Sequence, residues 1–141
     1  MDTPIPLEGG CLCGAVRYRA AGTPFNSTVC HCTDCRRSAG AAAVAWFSIH
    51  PRDFALTRGG LREHASSLHG RRGFCASCGS SITFRNDDQP DEMDIATATL
   101  DDPARVPPRD HVWTASRLPW VGLPPGLPHY PRGRSEGPAE P

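Results

Sequence analysis

The chain reads as a single, mainly β domain, built of short antiparallel strands in a sandwich-like fold with at most short helical turns. Three observations predict this. Short apolar stretches alternate with Gly- and Pro-bearing turns rather than with amphipathic helices. Seven cysteines fall into three tight groups: Cys11 and Cys13 in CLCG, Cys30, Cys32 and Cys35 in CHCTDC, and Cys75 and Cys78 in CASCG. Leu, Ile, Val and Phe together make only 24 of 141 residues. That is about 17%, below the roughly 20% at which a charged chain stops folding on its aliphatic core alone. A structural metal, which contributes on the order of 10 kcal/mol, would supply what the thin core lacks.

The elements follow in order. Gly9 and Gly10 lead into the first cysteine loop, and Ala15 to Ala20 alternates Val16 and Tyr18 with Arg17 and Arg19, as a half-buried strand does. After a turn at Gly22 to Pro24, Thr28 and Val29 run extended into the cysteine triplet. Thr33 then caps a helical turn from Asp34 to Ser38 that Gly40 ends. Ala41 to Ile49 is apolar except for Ser48, and its Val44, Trp46 and Phe47 favour a buried strand. Phe54 to Thr57, Leu61 to Ser66 and Arg71 to Phe74, punctuated by glycines, read as an antiparallel meander. Ser81 to Arg85 and Met93 to Thr99 are two further strands, and Asp101, Asp102 and Pro103 form a turn. His111 and Trp113 alternate as on a strand and receive no role. From Pro119 onward seven of 23 residues are proline, so the expected division is a lead over 1–8, the domain over 9–130 and a disordered tail over 131–141.

Composition removes several functions. All fifteen basic residues are arginine, which excludes Schiff-base chemistry, and they equal the fifteen acidic ones. With zero net charge there is no general basic field, so a nucleic-acid partner is not expected. No apolar run reaches the length of a signal core or a membrane span, which points to the cytoplasm and no membrane. In that reducing compartment an odd number of cysteines argues for metal ligation over disulfides.

Cys-x-Cys and Cys-x-x-Cys loops each deliver two thiolates from one bend of backbone, and the glycine after each second cysteine turns amides toward the sulfurs. A natural solution is for Cys11, Cys13, Cys75 and Cys78 to share one zinc as a closed structural site. Cys30, Cys32 and Cys35 then bring three thiolates and leave a position for an exchangeable ligand, which is the arrangement of a catalytic site. A thiol entering there would lose its proton. Spacing leaves the partition open, since three half-sites combine in other ways and His31 or His111 are alternatives for completing the triplet. Arg36 and Arg37, directly after Cys35, are candidates to hold an anionic substrate, and Trp46 to floor its cleft.

The strings GGCLCGAVRY, CHCTDCRRSAG and FCASCGS, followed by LDD, HVW, SRLPW and GLP, resemble the glutathione-dependent formaldehyde-activating enzyme family, which also includes a centromere protein. The likeness runs from about Gly9 to Tyr130, and the chain is most similar to short, uncharacterised members. The resemblance implies a β-rich domain with a structural zinc on Cys11, Cys13, Cys75 and Cys78 and a looser, catalytic zinc on Cys30, Cys32 and Cys35. It also implies carbon-sulfur lyase activity on a thiol–aldehyde adduct such as S-hydroxymethylglutathione, with glutathione as the small thiol and formaldehyde as the small aldehyde. The competing expectation is a non-catalytic, zinc-stapled binding module for a protein or nucleic-acid partner.

Overall fold

In the computed structural model, which describes residues 5–137, two β-sheets account for most of the regular structure. The small sheet has the order β1 (Leu7–Gly10), β2 (Arg17–Ala20) and β5 (Phe54–Arg58), all antiparallel. The large sheet holds β3 (Phe25–Cys30), β4 (Val44–Ile49), β6 (Arg62–Ala65), β7 (Gly70–Phe74), β8 (Ser81–Asn86), β9 (Met93–Ala96) and β10 (His111–Val112). Its order is β10-β3-β4-β9-β8-β7-β6, antiparallel except where β10 runs parallel to β3. One α-helix, α1 (Thr33–Ala39), is present among the described residues. The fold is mainly β, as expected.

Several elements differ from the sequence expectation for identifiable reasons. The strand expected from Ala41 begins at Val44, because Gly40 closes α1 in the left-handed conformation (φ 64°) and the small residues after it make the turn. Met93 to Thr99 is a strand only as far as Ala96, after which Thr97–Thr99 forms a 3-10 turn. Phe54 to Thr57 is a strand, yet it does not join the meander. It crosses to the small sheet and pairs with β2, so the meander runs only from β6 to β9. The strand β1 is unforeseen because half of it is glycine. Gly9 is required there by close approach, since a Cβ would lie 2.4 Å from both Tyr18 Oη and the Thr99 carbonyl oxygen.

Alternation on the central strands sets up two separate cores. Phe47 and Ile49 of β4 and Ile95 of β9 pack with Leu7, Val16, Tyr18 and Ile82 on one face of the large sheet, where the small sheet covers it. Val44 and Trp46 of β4 and Ala96 of β9 belong to a second cluster on the opposite face, with Cys30, Cys35 and Val112. Phe47, Ile82 and Ile95 are wholly buried, each contributing about 1.5–3 kcal/mol. The two cysteine groups divide in the same way. Cys75, Cys11 and Cys78 pack on the first core, and Cys30, Cys32 and Cys35 on the second.

The chain after β10 returns alongside it. Tyr130 N–H donates to the His111 carbonyl (2.8 Å), and Trp113 N–H donates to the Arg132 carbonyl (3.0 Å). Within the segment expected as a tail, Arg134 is ion-paired with Asp110 and its Nη2 donates to Asp110 Oδ1 at 3.0 Å. Residues 138–141 of that segment, and 1–4 of the expected lead, lie outside the described residues.

Candidate functional site

The first cysteine centre is made where two loops meet. Cys11 and Cys13 sit between β1 and β2, and Cys75 and Cys78 follow β7. Their four sulfurs all lie within 4.8 Å of one another. Each loop ends in a glycine with φ 80°, Gly14 and Gly79, the conformation that only glycine adopts without strain. The turn so formed aims backbone amides at sulfur: Val16 N–H donates to Cys11 Sγ (3.2 Å) and Cys78 N–H donates to Cys75 Sγ (3.4 Å). Ser80 ties the loops together, accepting from Leu12 N–H (3.0 Å) and lying 3.2 Å from Cys78 Sγ. That hydroxyl is the first cause holding the Cys78 thiol down to about 5. The sulfurs of Cys11 and Cys13 are 3.6 Å apart, and those of Cys13 and Cys75 are 3.8 Å apart. A tetrahedral ion with Zn–S bonds of about 2.3 Å has edges of roughly 3.8 Å. This donor set fits a four-thiolate metal ion.

The second centre is local. Cys30 ends β3, Cys32 is the residue that caps α1, and Cys35 lies in the helix's first turn, with the three sulfurs within 4.8 Å. Thr33, expected as the cap, is instead the first helical residue. Cys32 Sγ accepts the Cys35 N–H at 3.3 Å in the role usually taken by a serine or threonine oxygen. Cys30 and Cys35 are buried and Cys32 is half-buried. Hydrogen bonds from Cys30 and Cys35 push the Cys32 thiol strongly down, with help from the Arg72 charge, while Cys30 is pushed strongly up. Three sulfurs clustered this closely fit a metal ion that takes three ligands from the protein. His31, between two of these cysteines, is buried and turned to His111, its Nε2 3.0 Å from His111 Nδ1. Burial, first of all, keeps both imidazoles below their usual pKa.

The trio opens on a cleft of about 780 Å³, lined also by Trp46, Phe84, Arg72 and Asp94. Of the residues singled out from sequence, Trp46 stands in this wall, buried, with its Nε1 lacking an acceptor. Arg36 and Arg37 do not line it. Arg36 reaches back to Thr33 Oγ1 (3.2 Å) within its own helix, while Arg37 borders an adjoining pocket of about 530 Å³ beside His64 and Ser66. The cation next to the trio is Arg72 of β7, which sequence reading missed. It is buried, its Nη1 and Nη2 lie 3.8 and 3.7 Å from Cys35 Sγ, and its guanidinium rests 4.9 Å over the Phe84 ring. A signal existed: in GRRGF two adjacent arginines on a strand must face opposite sides, so one of them points inward. Asp94, an acid inside the otherwise apolar start of β9, was a second such signal.

Several known proteins are similar to this chain. The family profile described as glutathione-dependent formaldehyde-activating enzyme matches residues 6–116. A Halomonas elongata protein named for glutathione-dependent formaldehyde activation is 31% identical over 130 residues, covering 83% of this chain and 80% of that protein. An uncharacterized lyase of Schizosaccharomyces pombe is 31% identical over 77 residues, 55% of this chain and 56% of its own length. The crystal structure of a Rhodobacter sphaeroides protein superposes with a TM-score of 0.55 at 26% identity, covering 67% of this chain and 87% of that one. A match of this extent, over a chain whose cysteines gather in space as two separate centres, makes it a member of the glutathione-dependent formaldehyde-activating enzyme family.

Proposed function

We propose that this protein is a zinc-dependent carbon-sulfur lyase that makes and breaks a thiol–aldehyde adduct, with S-hydroxymethylglutathione as the model compound. The observation that carries this reading is the three-cysteine centre beside an open cleft, in contrast to the four-cysteine centre between the sheets. Family membership and the lyase among the relatives support it.

In this reading Cys11, Cys13, Cys75 and Cys78 hold a structural zinc, and Cys30, Cys32 and Cys35 hold a catalytic one. Zinc on the trio would supply a Lewis acid that keeps an incoming thiol ionised at neutral pH. The protein's residues do the rest. Arg72 places a fixed positive charge against Cys35 and offsets the thiolates. Trp46 and Phe84 give the cleft apolar walls that limit water. The adjoining pocket shares Asp34, Ser66 and Arg72 with the cleft, and in this reading Arg37 and His64 there would meet an anionic tail of the thiol. Arg36, engaged within α1, is left out of this role. Seven free thiols suit a reducing compartment such as the cytoplasm.

The test is exchange spectroscopy on glutathione and formaldehyde with protein loaded at both centres. Adduct formation and breakdown faster than the uncatalysed background, lost in Cys32→Ser, is expected. A wild-type rate equal to background removes the proposal.

A further inference from the structure

The floor of the cleft contains a carboxyl group where packing alone would place an aliphatic side chain. Asp94 lies on β9, the middle strand of the large sheet, directly opposite Ser48 of β4 on one side and Phe84 of β8 on the other. All three residues line the cleft. Aspartate is disfavoured in strands, and a partly buried carboxylate without a bonded cation is costly. Its hydrogen-bond partner is the Ser48 hydroxyl, which donates to Oδ1 at 2.6 Å.

Its position relative to the trio follows from the strand register. Arg72 pairs with Phe84, and Phe84 pairs with Asp94. Two strand spacings therefore separate Arg72 from Asp94, about 10 Å between Cα atoms. Arg72 spans part of that gap, lying over the Phe84 ring to reach Cys35 Sγ. Asp94 and the three cysteines line the same cleft, so an adduct bound with its sulfur toward the cysteines would have this carboxyl group in its wall.

Resting on the thiol–aldehyde reading of this cleft, we infer that Asp94 is its general acid and base, exchanging a proton with the aldehyde-derived oxygen. In the forward direction the thiolate sulfur forms the C–S bond and the carbonyl π pair moves to oxygen. The Asp94 carboxyl gives that oxygen its proton, leaving a hydroxyl on the adduct and a carboxylate on the protein. The proton shed by the next thiol to enter restores the acid. In reverse, the carboxylate takes the hydroxyl proton, the C=O bond reforms, and the C–S pair leaves with sulfur.

The surroundings hold both forms accessible near neutrality. Burial raises Asp94 to about 6, the Ser48 hydrogen bond opposes this, Glu92 adds to the rise, and Arg134 and Arg72 pull it back. Asp34 of α1 also borders the cleft. A group that titrates there can give and accept a proton at working pH.

The experiment compares wild type, Asp94→Asn, Asp94→Glu and Ser48→Ala as holoproteins, with metal content, thiol KM and rate followed across pH. Asp94→Asn should keep both metals and the thiol KM, lose about tenfold or more in rate and lack the inflection near pH 6. Asp94→Glu should recover part of the rate, and Ser48→Ala should move the inflection upward. Asp94→Asn with the wild-type rate and pH profile, beside an active wild type, overturns the inference alone. An inactive wild type overturns the thiol–aldehyde reading and this role with it.

Discussion

Replacing Cys75 by serine should destabilise the protein far more than replacing Cys32 by serine, although each removes one sulfur from a metal centre. Cys13 and Cys75 are 62 residues apart in sequence, so the four-cysteine centre closes a long loop and clips the first cysteine loop to the large sheet. The chain-entropy model assigns about 4 kcal/mol to closing a loop of that length. The trio spans only Cys30 to Cys35, for which the same model gives about 2 kcal/mol. Local chemistry widens the difference. Serine at position 32 still caps α1, because its hydroxyl accepts the Cys35 N–H as the sulfur does. Serine at position 75 keeps the hydrogen bond from Cys78 but places a hydroxyl in the core beside Ile82 and Val16. Denaturant unfolding of the zinc-loaded proteins, with metal counted on each, is the assay. Cys75→Ser should lose most of a stability that is ordinarily about 5–15 kcal/mol, while Cys32→Ser should fold and keep the structural metal. Equal shifts in the two midpoints would refute the division between a closed, fold-setting centre and an open one.

Arg72→Met should weaken the second metal by about tenfold or more, a loss of about 1.4 kcal/mol in binding, with Arg72→Lys intermediate. Chelator competition reads this, and an unchanged affinity for the second ion would show that the charge beside Cys35 is idle. Asp94→Asn should also stabilise the fold in a pH-dependent way. The carboxyl is raised from 3.8 to about 6, so the folded state binds its proton more tightly than the unfolded state. Its favourable contribution is complete below about pH 4 and is lost as pH rises through 6. The substitution should therefore gain about 3 kcal/mol at pH 8 and about half of that at pH 5, and urea melts with the same gain at both would contradict the reasoning. Gly9→Ala should cost about 2 kcal/mol or more, because the new methyl would overlap Tyr18 Oη and break its 2.7 Å hydrogen bond to Thr99. Thermal unfolding no lower than wild type would mean that β1 can shift away.

The β class, the position of most strands and the pairing of cysteines within each loop are properties of a few neighbouring residues, and they could be read from the chain. Val16 and Tyr18 alternate with arginines because one side of β2 is buried, and a Cys-x-x-Cys-Gly turn has its geometry written into five residues. Where these pieces meet depends on contacts far apart in the chain. Nothing near Phe54 tells that β5 leaves the meander for β2, and the two glycines of β1 conceal a strand whose reason is the Tyr18 hydroxyl. The cation beside Cys35 shows the same limit. Arg36 and Arg37 directly follow Cys35 in sequence, but the helical turn sends Arg36 back to Thr33 and Arg37 into the adjoining pocket, whereas Arg72 arrives from β7 and rests over Phe84. Hydrogen bonding and side-chain alternation act over a few residues and leave a local trace. Charge neutralisation and cleft formation act through space, so the partners of the trio became visible only once β7, β8 and β9 were laid side by side in register.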